Sequence, residues 1–258
     1  MPHLMALRGE PADAPPIPRQ HIFDPLSAER TRAGRPGAAG RESRFFAPGA
    51  ELFAQDQINE DVFTLVEGWA ALHHILEDGR RQILQFLLPG DICGFVSPPG
   101  GPAPHAAEAL TEVTATVLPQ SQFVSMLAAD ARQAASVIGR LSGSIVAAHD
   151  SLVDIGRRNA LEAVAHLLFR LDRRIREAGG ASPGATIDFP PTQEQLGDAL
   201  GLSAAHVCRT LRVLRERGIL SLDRHGLRIH DPGALNRILG QDERGVSGSR
   251  QTGGERCR

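Results

Sequence analysis

The chain contains no lysine: all 28 of its basic residues are arginine. That uniformity looks like a codon-composition bias, so arginine abundance alone is no sign of nucleic-acid chemistry. The formal net charge is only -2, which argues against a protein that coats nucleic acid through bulk charge and for localised contacts. Cysteine is scarce. Cys93, Cys208 and Cys257 are odd in number and widely spaced, giving neither a disulfide framework nor a zinc pattern. No apolar run approaches about 18 residues and no charged-then-apolar leader opens the chain. Neither a membrane span nor export is indicated, and a cytoplasmic protein is expected. There is no phosphate-cradling glycine loop, triad-like grouping or metal-ligand cluster, so no enzyme is expected.

What is present suffices for folded domains. With 258 residues, 41% of them hydrophobic, one large or two modest domains are expected. Residues 1–42 are rich in Pro, Ala, Gly and Arg without sustained periodicity and read as a disordered arm; residues 241–258 read as a tail of the same kind. From Phe45 to Leu118 turn signals recur at Pro48-Gly49, Glu67-Gly68, Asp78-Gly79 and Pro89-Gly90, with short apolar runs such as VFTLVE, WAALHHIL and RQILQFLL between them. This spacing predicts an all-β sandwich or barrel over residues 43–127.

The period then changes. Ala134, Ile138, Leu141, Ile145, Ala148, Leu152 and Ile155 alternate steps of 4 and 3, a heptad seam. A single narrow stripe over residues 128–156 suits a helix pairing with its own copy; the alternative is one helix packed on its own β domain. Asp154 to Arg157 closes the helix, with Gly156 as a hinge, and Arg158 to Arg176 predicts a further amphipathic helix.

The most informative stretch is TQEQLGDALGLSAAHVCRTLRVLRER, from Thr192 to Arg217. Thr192 with Gln195 makes a capping box, Leu196, Ala199 and Leu200 mark a buried face, and Gly201 supplies the left-handed turn. Leu202 plugs that turn, and Ser203 caps a second helix with the apolar stripe Val207, Leu211, Leu214. At about 100° per residue, Ala205, Arg209, Arg212 and Glu216 fall opposite that stripe, with His206 beside them and Cys208 at the margin. Small Ala204 and Ala205 near the helix start allow close approach, and His206 and Arg209 supply donors. This is the layout of a helix-turn-helix, whose second helix reads the major groove. An ordinary helical hairpin with solvated arginines is the alternative. Two short strands, ILSLDR and LRIH around His225-Gly226, follow directly and add a wing. Residues 157–232 hold 12 Arg against 9 Asp plus Glu, so this region is basic within a near-neutral chain.

A β-roll, a long dimerising helix, a hinge and a C-terminal winged helix together resemble the Crp–Fnr superfamily of bacterial transcription regulators. FFAPGAELFAQDQ, VFTLVEGWAAL, DGRRQILQFLLPGDICG and SAAHVCRTLRVLRERGIL carry the resemblance over roughly residues 44–239. It implies an α+β fold: an N-terminal β-roll of jelly-roll type, a dimerisation helix at 128–156 and a winged helix-turn-helix at 157–240. It further implies a homodimer on a pseudo-palindromic duplex operator, RNA polymerase as a partner of an activator, and DNA contacts from Ser203, His206, Arg209 and Arg212, with Arg209 on a guanine. Thr192 would hold a phosphate at the positive end of its helix.

The departures from the family narrow the effector. The cyclic-AMP branch places a Gly-Glu pair and an Arg-Ser pair in the roll. Here the first corresponds to Gly90-Asp91, and no arginine lies between Arg81 and Arg132. A buried phosphate without a cationic partner is costly, so cyclic AMP is not expected. The iron–sulfur branch uses four cysteines, three of them N-terminal, and residues 1–92 contain none, which excludes that cluster. A haem- or metal-based sensor would use His73, His74 or Cys93, although neighbours on a strand point to opposite faces. Cys208 is the redox candidate, since oxidation would add bulk and charge beside DNA. No cofactor is identified.

Overall fold

The computed structural model describes residues 42–96, 98–179, 181–182 and 184–240. The expected arm and tail, with Cys257, lie outside the described residues, save for Glu42. That residue already opens the first strand and is not part of an arm. Eight strands follow: β1 (Glu42–Phe46), β2 (Glu51–Phe53), β3 (Asp61–Glu67), β4 (Ala70–Ile75), β5 (Arg81–Leu87), β6 (Ile92–Cys93), β7 (Ala106–Ala109) and β8 (Val113–Pro119). They form two four-stranded antiparallel sheets, ordered β1-β8-β3-β6 and β2-β7-β4-β5. The glycines at the expected turns, Gly49, Gly68, Gly79 and Gly90, all have positive φ.

Strand alternation explains why the second sheet has two apolar faces. Ala70 and Leu87 point into the roll with Phe63, Leu65, Val113 and Val117, while Phe46 and Phe53 pack their rings against Phe63. Trp69, Ala71, Ile83 and Phe86 face outward and are buried with residues of the C-terminal lobe in one continuous cluster.

The helix after the roll is broken, contrary to one run over 128–156. Helix α1 (Gln120–Ala129) stops at Asp130, whose extended backbone ends it and whose carboxylate caps α2 (Ala131–Gly156) by accepting from the N–H groups of Arg132 and Gln133. Val137 of α2 packs on Val62 and Phe123, but the seam on the adjacent face is bare. Ile138, Leu141, Ile145, Leu152 and Ile155 are 46–68% exposed. The alternative of a stripe packed on its own roll therefore fails for these residues: α2 uses Val137 and Asp154, off the seam, for its own core.

Helix α3 (Ala160–Glu177) begins two residues later than the expected Arg158, because Asn159 and Glu162 form a capping box. At the α2–α3 junction the buried Asp154 carboxylate accepts from His166 Nδ1 at 2.8 Å and pairs with Arg158. Arg170 also approaches it, and burial draws that guanidinium below its ordinary pKa while Asp154 opposes the shift.

Helices α4 (Gln193–Leu200) and α5 (Ala204–Glu216) and strands β9 (Leu220–Asp223) and β10 (Gly226–Ile229) follow, closed by α6 (Pro232–Ile238). The wing turn is Arg224-His225, one residue earlier than expected, and Gly226 is already in β10. Ile187 pairs with Leu227 in a single antiparallel bridge beside the hairpin, with both N···O distances 2.9 Å. Its carbonyl lies where a side chain on Gly226 would stand, so that position requires glycine. No helix among the described residues is long and apolar enough to cross a membrane.

Candidate nucleic-acid interface

The first helix of the pair is fixed at both ends. Thr192 Oγ1 accepts from Gln195 N at 3.2 Å, and Gln195 Oε1 accepts from Thr192 N at 2.8 Å. The hydroxyl hydrogen of Thr192 stays free to donate, because a hydroxyl offers a donor besides its acceptor positions. Gly201 takes φ +65° at the C-terminal end. Gly197 is equally necessary, and its role was not read from the sequence: a side chain there would collide with the backbone carbonyl of Leu202. A glycine inside a short helix costs about 1 kcal/mol relative to alanine, and that cost is the signal of a close approach.

The second helix buries Val207, Thr210, Leu211 and Leu214. Ser203 caps it, its hydroxyl accepting from His206 N at 3.3 Å. Ser203, Ala204, Ala205, His206, Arg209 and Arg212 are all exposed and lie together along one helix, with Thr192 exposed at the start of the preceding one. Their electrostatics differ. Arg212 donates to Glu216 at 2.7 Å on the surface, whereas Arg209 has no ion pair or hydrogen bond among the described residues. Cys208 is exposed as well, more open than a position at the stripe's margin suggests.

The roll's candidate residues are placed differently. Asp91 does not stand free for a ligand: Arg174 of α3 holds it at 2.6 and 2.8 Å, and it accepts from Leu88 N at 2.8 Å. Cys93 is buried, and desolvation, helped by Asp91, pushes its thiol pKa up. His73 is buried and His74 half-buried; His74 faces His105 edge-on at 5.7 Å and contacts the Pro104 carbonyl. Burial holds the His73 and His105 imidazoles below their ordinary pKa. Among the described residues no group of three or more His, Cys, Asp or Glu could hold a metal.

The cyclic nucleotide-binding domain family matches residues 43–130, and the Crp-like helix-turn-helix domain family matches residues 162–238. The nitrogen fixation regulation protein FixK of Azorhizobium caulinodans is 29% identical over 237 residues, covering 86% of this chain and 94% of FixK. The transcriptional activatory protein AadR of Rhodopseudomonas palustris is 29% identical over 187 residues, covering 72% of this chain and 77% of AadR. The solved structure of FixK2 from Bradyrhizobium japonicum superposes with a TM-score of 0.69 at 28% identity, covering 78% of this chain and 98% of that one. Both domain families, in this order and joined by the long helix α2, assign the protein: it belongs to the Crp–Fnr superfamily and is a DNA-binding transcription regulator.

Proposed function

We propose that the protein is a cytoplasmic homodimer that binds a pseudo-palindromic operator with two copies of α5 lying in successive major grooves, roughly 34 Å apart. The carrying observation is the bare seam of α2, where Ile138, Leu141, Ile145, Leu152 and Ile155 are exposed in the single chain and Ala148 continues the same line. Apolar residues at this spacing are satisfied by a second copy of the same helix. Arg209, whose guanidinium is unpaired among the described residues, reads a guanine; Ser203, Ala204, Ala205, His206 and Arg212 border it, and Thr192 donates to phosphate. Selection of the purified chain on a random duplex pool tests this. An inverted repeat with half-sites about one turn apart is expected, and a single unrepeated motif contradicts it.

The protein works as a regulator without catalysis, and RNA polymerase is its further partner wherever it activates. Cyclic AMP is not the effector in this reading. Residues 82–131 offer no arginine to a cyclic phosphate, Asp91 is held by Arg174, and the roll interior is filled by Phe46, Phe53 and Phe63. A four-cysteine iron–sulfur cluster is excluded by cysteine number, since the chain has three.

A second reading concerns Cys208, whose exposed thiol neighbours Arg209 on the DNA-facing helix. Oxidation to a sulfinate would set a negative charge beside the phosphate backbone and weaken binding. Peroxide treatment is therefore expected to lower operator affinity of the wild type and to spare Cys208→Ser. Equal losses in both proteins would discard the thiol switch.

A further inference from the structure

Besides the shared apolar cluster, the roll and the helix-turn-helix meet through polar contacts. Arg81, the first residue of β5, donates through Nη1 to Glu108 of β7 at 3.1 Å and through Nε to Asp198 of α4 at 2.9 Å. All three side chains are about three-quarters buried, with relative exposures of 24–28%. The next residue, Gln82, donates to the Ala199 carbonyl in the same turn of α4 at 3.2 Å. Elsewhere in the same contact between roll and C-terminal lobe, Trp69 meets Phe189 edge-to-face at 5.7 Å. Two consecutive residues of one strand thus grip the last turn of α4.

That turn is rigidly joined to the DNA-facing helix. Gly201 is left-handed, Leu202 N bonds to the Gly197 carbonyl at 3.0 Å, and Leu196 and Leu200 share a core with Val207, Leu211 and Leu214. Whatever orients α4 on the roll orients α5. The grip is on the α4 side, and it leaves the whole exposed face from Ser203 to Arg212 clear.

We propose that Arg81 is a positioning residue for DNA binding: by bridging Glu108 to Asp198 it holds the helix-turn-helix on the roll in the orientation that engages the operator. The two α5 helices of a dimer must meet successive grooves together, so freedom at α4 lowers affinity without removing any contact to DNA. A ligand or partner that competed for Arg81 or Asp198 would change DNA affinity by the same route. The inference rests on α5 being the DNA-contacting helix.

The test is a charge swap in the full-length chain, read against the inverted repeat recovered from the random duplex pool. Arg81→Glu and Asp198→Arg are each expected to weaken binding about tenfold or more, as loss of a largely buried charged bond implies. The double variant rebuilds the pair with reversed sign but leaves Glu108 near a second carboxylate, so Glu108→Gln is added, and this triple variant is expected to return to within about threefold of wild type. Dimer mass should be unchanged throughout. A merely stabilising role would lower the melting temperature without this pattern of loss and rescue. Single variants that bind as tightly as wild type, or a triple variant no better than the singles, overturn the proposal. Should a reversal variant melt before binding can be read, Arg81→Gln carries the test: weakened binding supports the positioning role and unchanged binding overturns it. Arg209→Ala measured alongside separates the two claims, since full affinity there removes α5 as the reading helix whatever the swap shows.

Discussion

Leu141→Glu is expected to give a monomer that no longer holds its operator. The five large seam residues of α2 are about half accessible in the single chain. Burying the remainder contributes about 1 kcal/mol for each, on the order of 10 kcal/mol for two copies. Association costs a comparable amount in lost translational and rotational freedom. The dimer is therefore held by a modest difference. One carboxylate per copy, placed in an apolar seam with no cation opposite, costs several kcal/mol and outweighs that difference. Sedimentation or light scattering should report the mass of one chain, and operator affinity should fall together with it. An intact Leu141→Glu dimer would mean that the seam is not where two copies meet. The surface exposure of Leu141 makes the variant informative, because the isolated chain should remain folded.

Arg209→Ala has the second largest expected effect, and its signature is specificity as well as strength. The guanidinium is exposed, unpaired among the described residues and two residues past Val207, which anchors the helix in the core. A bidentate arginine–guanine contact supplies about 1–3 kcal/mol of discrimination. The variant should lose roughly 5- to 150-fold in affinity and accept other bases at one position in each half-site. Competition among duplexes substituted at single positions gives the readout. A loss of equal size on every duplex would instead mark Arg209 as a phosphate contact.

The helix-turn-helix was legible because its determinants are local. Thr192 with Gln195, Gly201 and Ser203 fix termini within a few residues, and the stripe Val207, Leu211, Leu214 repeats at helical spacing, so each position can be assigned from its neighbours. The seam was legible for the same reason. Asp130 shows where local reading slips: the expected helix range, 128–156, runs through it, but its side chain caps, and the long helix starts after it. The wing turn moved by one residue because Gly226 serves close approach to Ile187, a contact with a segment far upstream that a hairpin signal does not contain. Asp91 matches a family position, yet its partner is Arg174, 83 residues away. Arg81 and Asp198 are 117 residues apart, on elements with no shared sequence signal, and nothing short of the fold brings them together.

The most direct measurement compares the affinity of the purified chain for a complete inverted repeat with its affinity for a duplex bearing a single half-site, at one fixed salt concentration. Two coupled α5 helices should favour the complete site by at least about 100-fold, since the second contact is made at high effective concentration. Equal affinity for both duplexes would contradict a dimer that reads two grooves at once.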